Sequence, residues 1–85
     1  MNPKKLLTRL TNGHHKNVSF SDFTNLVEAF GFRLDHIKGS HRLYLHRYTK
    51  DGLNLQSMDG EAKPYQIKQF LEMIDEYSLT MKEDK

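Results

Sequence analysis

The 85-residue sequence contains no cysteine and no tryptophan, and only two of its residues are proline. Without cysteine, a disulfide-stapled fold and a zinc site with cysteine ligands are both excluded. No apolar run approaches the ~20 residues that span a bilayer. The basic start, residues 1–7, lacks the apolar stretch and small-residue cleavage site of a signal peptide. We therefore expect a cytoplasmic protein without a membrane partner, held together by packing alone.

Composition and charge are those of one small globular domain. Hydrophobic residues make up 36% of the chain and charged residues 28%, which excludes a disordered chain. The net charge of +2 is unevenly distributed. Residues 1–50 carry nine Lys and Arg against three Asp and Glu, a balance of +6, whereas residues 51–85 carry four against eight, a balance of −4. This asymmetry is compatible with a polyanionic partner, although small domains often have uneven charge by chance.

Apolar periodicity predicts three helices. The first lies near residues 3–10 and ends at the turn residues 11–13. The second begins near Ser19, whose spacing to Asp22 resembles a capping box, and ends at Gly31. The third opens at Pro64. Their predicted apolar faces are Leu6, Leu7 and Leu10; Phe20, Phe23, Leu26, Val27 and Phe30; and Ile67, Phe70, Leu71 and Ile74.

Between the second and third helices the period changes to that of β-strands. Residues 32–37 and 41–48 are predicted strands, and Gly39-Ser40 is a two-residue type II′ turn between them. A short third strand, residues 53–56, turns Leu53 and Leu55 inward, and residues 59–63 form a loop. The hairpin register pairs Lys38 with His41, His36 with Leu43 and Leu34 with Leu45. One face would then hold the core residues Phe32, Leu34, Leu43 and Leu45, with His36, Lys38 and His41 at its turn end.

This element order predicts an α+β fold, with a three-stranded antiparallel sheet covered on one face by helices. Counted from the second helix, the order is that of double-stranded-RNA-binding domains. We divide the chain into an N-terminal helix and connector (1–16), an α-β-β-β-α domain (17–79) and a frayed tail (80–85). The extra first helix could pack on the sheet or extend a partner contact.

His41 has the most suggestive setting of the five histidines. It follows the Gly-Ser turn, Lys38 lies across the hairpin, and Arg33, Arg42 and Arg47 belong to the same two strands. Cleavage of an RNA phosphodiester needs a proton-transfer group and cations that stabilise charge on phosphorus, and this route requires neither a metal nor another cofactor. An ordinary turn flanked by surface cations explains the same residues, so the pattern alone leaves the role of His41 open.

The other histidines give weaker indications of a functional role. His14 and His15 are adjacent on a polar connector with no third ligand nearby, which is a weak indication of a metal site. His46 falls on the strand face opposite the predicted core, where solvent exposure explains it.

Two segments together resemble the HicA toxin family, also called YcfA-like. One is Gly39-Ser40-His41-Arg42-Leu43-Tyr44, preceded by Phe30-Gly31-Phe32-Arg33-Leu34. The other comprises Leu53-Asn54-Leu55-Gln56 and Ala62-Lys63-Pro64-Tyr65-Gln66-Ile67. The likeness covers residues 17–79, and two motifs in the right order are a more specific match than Gly-Ser-His alone.

The resemblance implies a double-stranded-RNA-binding-like fold and an endoribonuclease that cleaves mRNA and blocks growth when free. It implies a HicB-type antitoxin that masks the active site. His41 would be the catalytic residue, with Gly39 and Ser40 shaping the turn that presents it. Two positions depart from the pattern: Arg42 stands where many relatives have a second His, and His36 where many have Arg.

The leading hypothesis is therefore a metal-independent endoribonuclease toxin. His41 would be its general acid or base, and Lys38 and Arg42 would contact phosphate. The second proton-transfer partner is left open between water, Lys38 and His36. A non-catalytic RNA-binding module that uses the same basic hairpin is the runner-up. A third alternative is a protein-interaction domain whose sheet edge adds to a partner sheet.

Overall fold

The computed structural model of the chain describes residues 1–81, which form three helices and one four-stranded antiparallel sheet. The helices are α1 Pro3–Thr11, α2 Phe20–Ala29 and α3 Pro64–Glu76. The strands are β1 Arg33–Lys38, β2 His41–Leu45, β3 Leu53–Met58 and β4 Glu61–Ala62, in the sheet order β1-β2-β3-β4. The predicted α+β class is confirmed. The predicted fraying at residues 82–85 lies outside the described residues, and none of the described helices is long and apolar enough to cross a membrane.

The helix boundaries follow the local signals in the sequence. The Ser19 hydroxyl accepts a hydrogen bond from the Asp22 backbone N–H at 3.2 Å, as an N-cap does. Gly31 stands just beyond the end of α2 with a φ of +96°, a conformation that costs glycine little. Pro64 is the first residue of α3, where its missing N–H has no helical partner to lose.

The core lies between the three helices and one face of the sheet. It contains the predicted apolar faces of α1 and α2, Phe32 before β1, Tyr44 of β2, Leu53 and Leu55 of β3, and Ile67 and Phe70 of α3. The ring of Phe70 makes edge-to-face contacts with Phe23, Phe30 and Phe32. α1 packs on α2, and its Leu6 and Leu10 are part of this same core. Residues 1–16 therefore share the hydrophobic core of the rest of the chain.

The segment 59–63, predicted as a loop, contains the short strand β4. Glu61 and Ala62 pair with Met58 and Ser57, and the turn between the strands is Asp59-Gly60. Both turn residues have positive φ, +53° and +83°, which is the geometry of a type I′ hairpin. A two-residue strand is too short to show an alternating pattern, so only the Asp-Gly pair signals it in the sequence.

The prediction for the β1–β2 hairpin is wrong in the register of its outer half and in the face that it turns to the core. The register holds at the tip, where Lys38 pairs with His41 and His36 with Leu43, but a bulge between Leu34 and His36 then pairs Leu34 with Tyr44. The bulge adds one residue to β1, so the two strands are shifted by one position beyond it. On β2 the helices cover the side of Tyr44, which has 1% of its surface exposed, and not the side of Leu45, which is 38% exposed. Leu34 pairs with Tyr44 but lies on the edge strand β1 and is 40% exposed.

β2 is also shorter than predicted, because it ends at Leu45 and residues 46–48 leave the sheet. Side chains alternate between the two faces of a strand, and Tyr44 of β2 is buried under the helices. His41, Leu43 and Leu45 of β2 therefore lie on the other face of the sheet, which the helices leave uncovered. We call this surface the open face.

Candidate functional site

The tip of the β1–β2 hairpin has the predicted turn geometry. Gly39 has a φ of +61° and Ser40 has a negative φ, as a type II′ turn requires. A Cβ atom added at Gly39 would meet nothing within 4 Å, so the position depends on backbone conformation and not on space. The turn brings Lys38 and His41 directly opposite each other.

Four of the predicted site residues line one groove on the open face. His36, Lys38 and His41 lie there with Gly39 at the tip, and Leu43 and Asn54 form its floor. The groove has a volume of about 420 Å³, within the usual range for small-ligand sites. No Asp or Glu lines it, so its charge comes from the lysine and from any protonated histidine.

The two histidines of this groove have different surroundings. The Nδ1 atom of His36 lies 2.8 Å from the Asp35 carboxylate, which leaves Nε2 available to a ligand. His41 is exposed, and its ring has no hydrogen-bond partner among residues 1–81. His36 is thus oriented by the protein, whereas His41 is free to reorient toward a ligand.

A hydrogen-bond chain ties the turn to the start of α3. The Gln56 amide donates to the Ser40 hydroxyl at 2.7 Å, and the Gln56 carbonyl oxygen accepts from the Lys63 ammonium at 2.6 Å. Gln56 is also the β3 partner of His41 in the sheet register. In the sequence, Gln56 and Lys63 have no site signal beyond their place in the second segment of the family resemblance.

Arg42 is not in the groove with His41. Adjacent residues of a strand point to opposite sides of the sheet, and the Arg42 guanidinium lies 5.4 Å from the Phe20 ring centroid at the start of α2. Ser40 and Gly39 border the surface around Arg42 as well. Of the predicted phosphate-contacting residues, Lys38 is therefore on the side of His41 and Arg42 is on the other.

The remaining histidines are placed away from this groove. The interpretation of His46 as a solvent-exposed residue is wrong: it is half-buried, its ring lies 4.9 Å from that of Phe32, and Nε2 is 3.0 Å from the Phe30 carbonyl oxygen. His15 contacts the Leu10 carbonyl oxygen at 2.8 Å. Within residues 1–81, no three His, Asp or Glu side chains cluster as a metal site.

Comparison of the chain with protein-family models, with curated proteins and with solved structures found no match. Assignment of a function therefore depends on the residues and geometry described above.

Proposed function

We propose that this protein is an endoribonuclease toxin of the HicA kind, which cleaves mRNA without a metal and uses His41 as general acid or base. The observation that carries the proposal is the grouping of His41, His36 and Lys38 in one groove on the open face. Two imidazoles and one ammonium are the groups that metal-independent cleavage of RNA needs. The excess positive charge of residues 1–50 adds attraction for a polyanion.

The reaction can be assigned to these groups step by step. The 2′-hydroxyl oxygen attacks the adjacent phosphorus and gives its proton to one imidazole. The bond from phosphorus to the 5′-oxygen breaks, and that oxygen takes a proton from a second group. The products are a 2′,3′-cyclic phosphate and a 5′-hydroxyl. Lys38 would stabilise the negative charge that builds on the phosphoryl oxygens.

His36 is our choice for the second proton-transfer group. Its hydrogen bond to the Asp35 carboxylate fixes the orientation of the ring and leaves Nε2 available toward the groove, as a proton-transfer group requires. His41, exposed and without a hydrogen-bond partner in the described residues, would then take the proton of the 2′-hydroxyl. Water and Lys38 are the alternatives.

The proposal extends to the fold and to a partner. If the two-residue β4 is set aside, the order α2-β1-β2-β3-α3 is that of a double-stranded-RNA-binding-like domain, in which helices cover one face of the sheet. A HicB-type antitoxin would cover the groove and place acidic groups near Lys38. A structure of the complex that leaves His41 fully open would contradict simple occlusion.

The direct test expresses the chain without a partner and compares it with His41→Ala. We expect the unsubstituted chain to block growth and cleave mRNA, and the variant to do neither. His14→Ala is the matched control, because His14 is an exposed histidine that lies outside the groove. Growth inhibition and mRNA cleavage that persist in His41→Ala would contradict the assignment.

One observation favours a non-catalytic RNA-binding module as the second candidate. No side chain in residues 1–81 orients the His41 ring, whereas a catalytic histidine is usually oriented by a partner. Binding of RNA by cations and polar groups needs no such partner. RNA binding at low salt without any cleavage would support this candidate over the endoribonuclease.

A further inference from the structure

A second groove lies at the other end of the β1–β2 ladder from the hairpin tip. It has a volume of about 920 Å³, and its polar lining includes Arg33, Arg47, Tyr48 and Tyr77. None of the residues that line it is Asp or Glu. Neither arginine forms an ion pair within residues 1–81. This groove is therefore a positively charged, aromatic surface that the proposed reaction does not use.

Tyr48 is the most exposed aromatic residue of this groove. Its side chain is 67% exposed, although tyrosine is an amphipathic residue that usually buries its ring. Its backbone is nevertheless held, because its N–H donates to Nδ1 of His46 at 3.1 Å. The Arg47 guanidinium lies 5.2 Å from the centroid of the Tyr48 ring. An exposed ring beside a guanidinium is the arrangement on which single-stranded nucleic-acid bases stack.

The groove is lined in part by Phe30 and by residues 77–81 after α3, and it meets the open face at Arg33. Arg33 is the sheet partner of Leu45, so these two residues lie on the same side of the sheet. Leu45 is four residues from His41 along β2, a separation of about 13 Å at 3.3 Å per residue. Sheet faces of comparable size bind two or three bases of a single strand in other RNA-binding domains. One short stretch of single-stranded RNA can thus reach from His41 to Arg33.

We propose that this groove is a second contact site for single-stranded RNA, in which Tyr48 stacks on a base and Arg33 and Arg47 bind the adjacent phosphates. This inference rests on the proposed function, because the RNA is the same strand that the His41 groove would cleave. The site would raise the affinity for RNA. It would also require the RNA to be unpaired on the side of the cleaved bond that reaches Tyr48. It would take no part in the chemical step.

The test measures binding of a fluorescein-labelled 12-nucleotide oligouridylate by the full chain, by fluorescence anisotropy over a range of salt concentrations. The measurement uses His41→Ala as the parent so that the probe is not cleaved. Loss of a stacked base typically weakens binding by ~5- to 150-fold, and we expect Tyr48→Ala to weaken it about tenfold. Tyr48→Phe keeps the ring and should bind like the parent.

The salt dependence gives a second readout that a purely structural change would not produce. Removal of one cation that binds a phosphate of a single strand makes the slope of log affinity against log salt shallower by about 0.7. We expect this change for Arg33→Gln. Lys5→Gln on the distant face of α1 removes the same charge from an exposed position and should leave the slope unchanged. Thermal melting of each variant checks that the fold is intact.

Three results would overturn the inference: no binding of the oligonucleotide by the parent, parent-like affinity of Tyr48→Ala, or an unchanged salt slope in Arg33→Gln. Loss of a protein partner's binding in Tyr48→Ala, with RNA binding intact, would assign the groove to that partner instead. Because binding is measured without cleavage, these results are independent of the comparison of the unsubstituted chain with His41→Ala, which tests the proposed function.

Discussion

At the scale of single residues, the structure divides the histidines by what each ring contacts. Nδ1 of His46 accepts a hydrogen bond from the Tyr48 backbone N–H, so the proton is on Nε2, which donates to the Phe30 carbonyl oxygen. Both ring nitrogens of His46 are therefore occupied by backbone partners. His41 has no such partner in residues 1–81, so its ring nitrogens are available for chemistry.

This difference predicts that two alanine substitutions have unequal effects on the free energy of unfolding. His46→Ala removes two hydrogen bonds worth ~1 kcal/mol each and an aromatic contact with Phe32 worth ~1 kcal/mol. We expect it to lower the free energy of unfolding by about 2–3 kcal/mol in urea denaturation. His41→Ala should change that free energy by less than ~0.5 kcal/mol, as exposed positions usually do. A larger loss of stability in His41→Ala than in His46→Ala would contradict this division.

Gln56 is the residue that connects the turn to the rest of the site. Gln56→Ala breaks its bonds to Ser40 and Lys63, which should lower the free energy of unfolding by ~1 kcal/mol. We expect the rate of RNA cleavage to fall by more than the lower stability explains, because the turn that presents His41 loses its support. Gln69→Ala, at an exposed glutamine of α3, is the control. Cleavage by Gln56→Ala equal to that of Gln69→Ala would show that the chain from Ser40 to Lys63 has no part in activity.

At the scale of elements, the sheet contains two two-residue turns, each with a glycine of positive φ. Gly39 and Gly60 both have positive φ, and a Cβ added at either would meet no atom within 4 Å. The first joins β1 to β2 beside His41, whereas the second joins β3 to β4. Alanine at either position should cost about 1–2 kcal/mol from backbone conformation alone.

The two variants should therefore lose similar stability and differ in activity. We expect Gly39→Ala to reduce RNA cleavage, because the strained turn displaces Lys38 and His41. Gly60→Ala should cleave at close to the rate of the unsubstituted protein. Urea denaturation measures the first quantity and cleavage of a labelled RNA the second. Equal activities for the two variants would contradict a functional role of the Gly39-Ser40 turn.

The element boundaries also show which features of the fold can be predicted from local sequence patterns. The caps of α2 and the tip of the hairpin were predicted correctly, because each depends on residues within a few positions of one another. The facing of β1 and β2 was not, since Leu43 and Leu45 compete with Tyr44 for the core in any two-residue period. Packing of the helices on the Tyr44 side settles that competition, and nothing in Leu34-Asp35-His36 signals the bulge that shifts the register.

At the scale of the whole molecule, α1 is part of the single core. Leu10 has 1% of its surface exposed and lies in the cluster that includes residues of α2, β3 and α3. Leu10→Ala should lower the free energy of unfolding by about 2–5 kcal/mol, a large fraction of the ~5–15 kcal/mol of a small domain. Leu34→Ala removes an equal side chain from an exposed position and should cost much less.

Unfolding of the unsubstituted chain should then be a single transition. Far-ultraviolet circular dichroism and tyrosine fluorescence should give coincident curves in urea. A separate early transition that reports only on helix content would instead make α1 an independent unit. The destabilisation caused by Leu10→Ala would then affect the unfolding of α1 alone.

The sequence by itself determined the helices, the Gly39-Ser40 turn and the pairing of Lys38 with His41, because capping, left-handed backbone and apolar periodicity are short-range properties. It also indicated the basic hairpin as the place to look for chemistry. Only the tertiary structure decided which side of β2 the helices cover, and so which of the adjacent residues His41 and Arg42 lies on the open face. The tertiary structure also brought Gln56 and Lys63 to Ser40, and Arg33 to Tyr48. Such contacts join residues far apart in the chain, and their geometry depends on a packed core that no local pattern encodes.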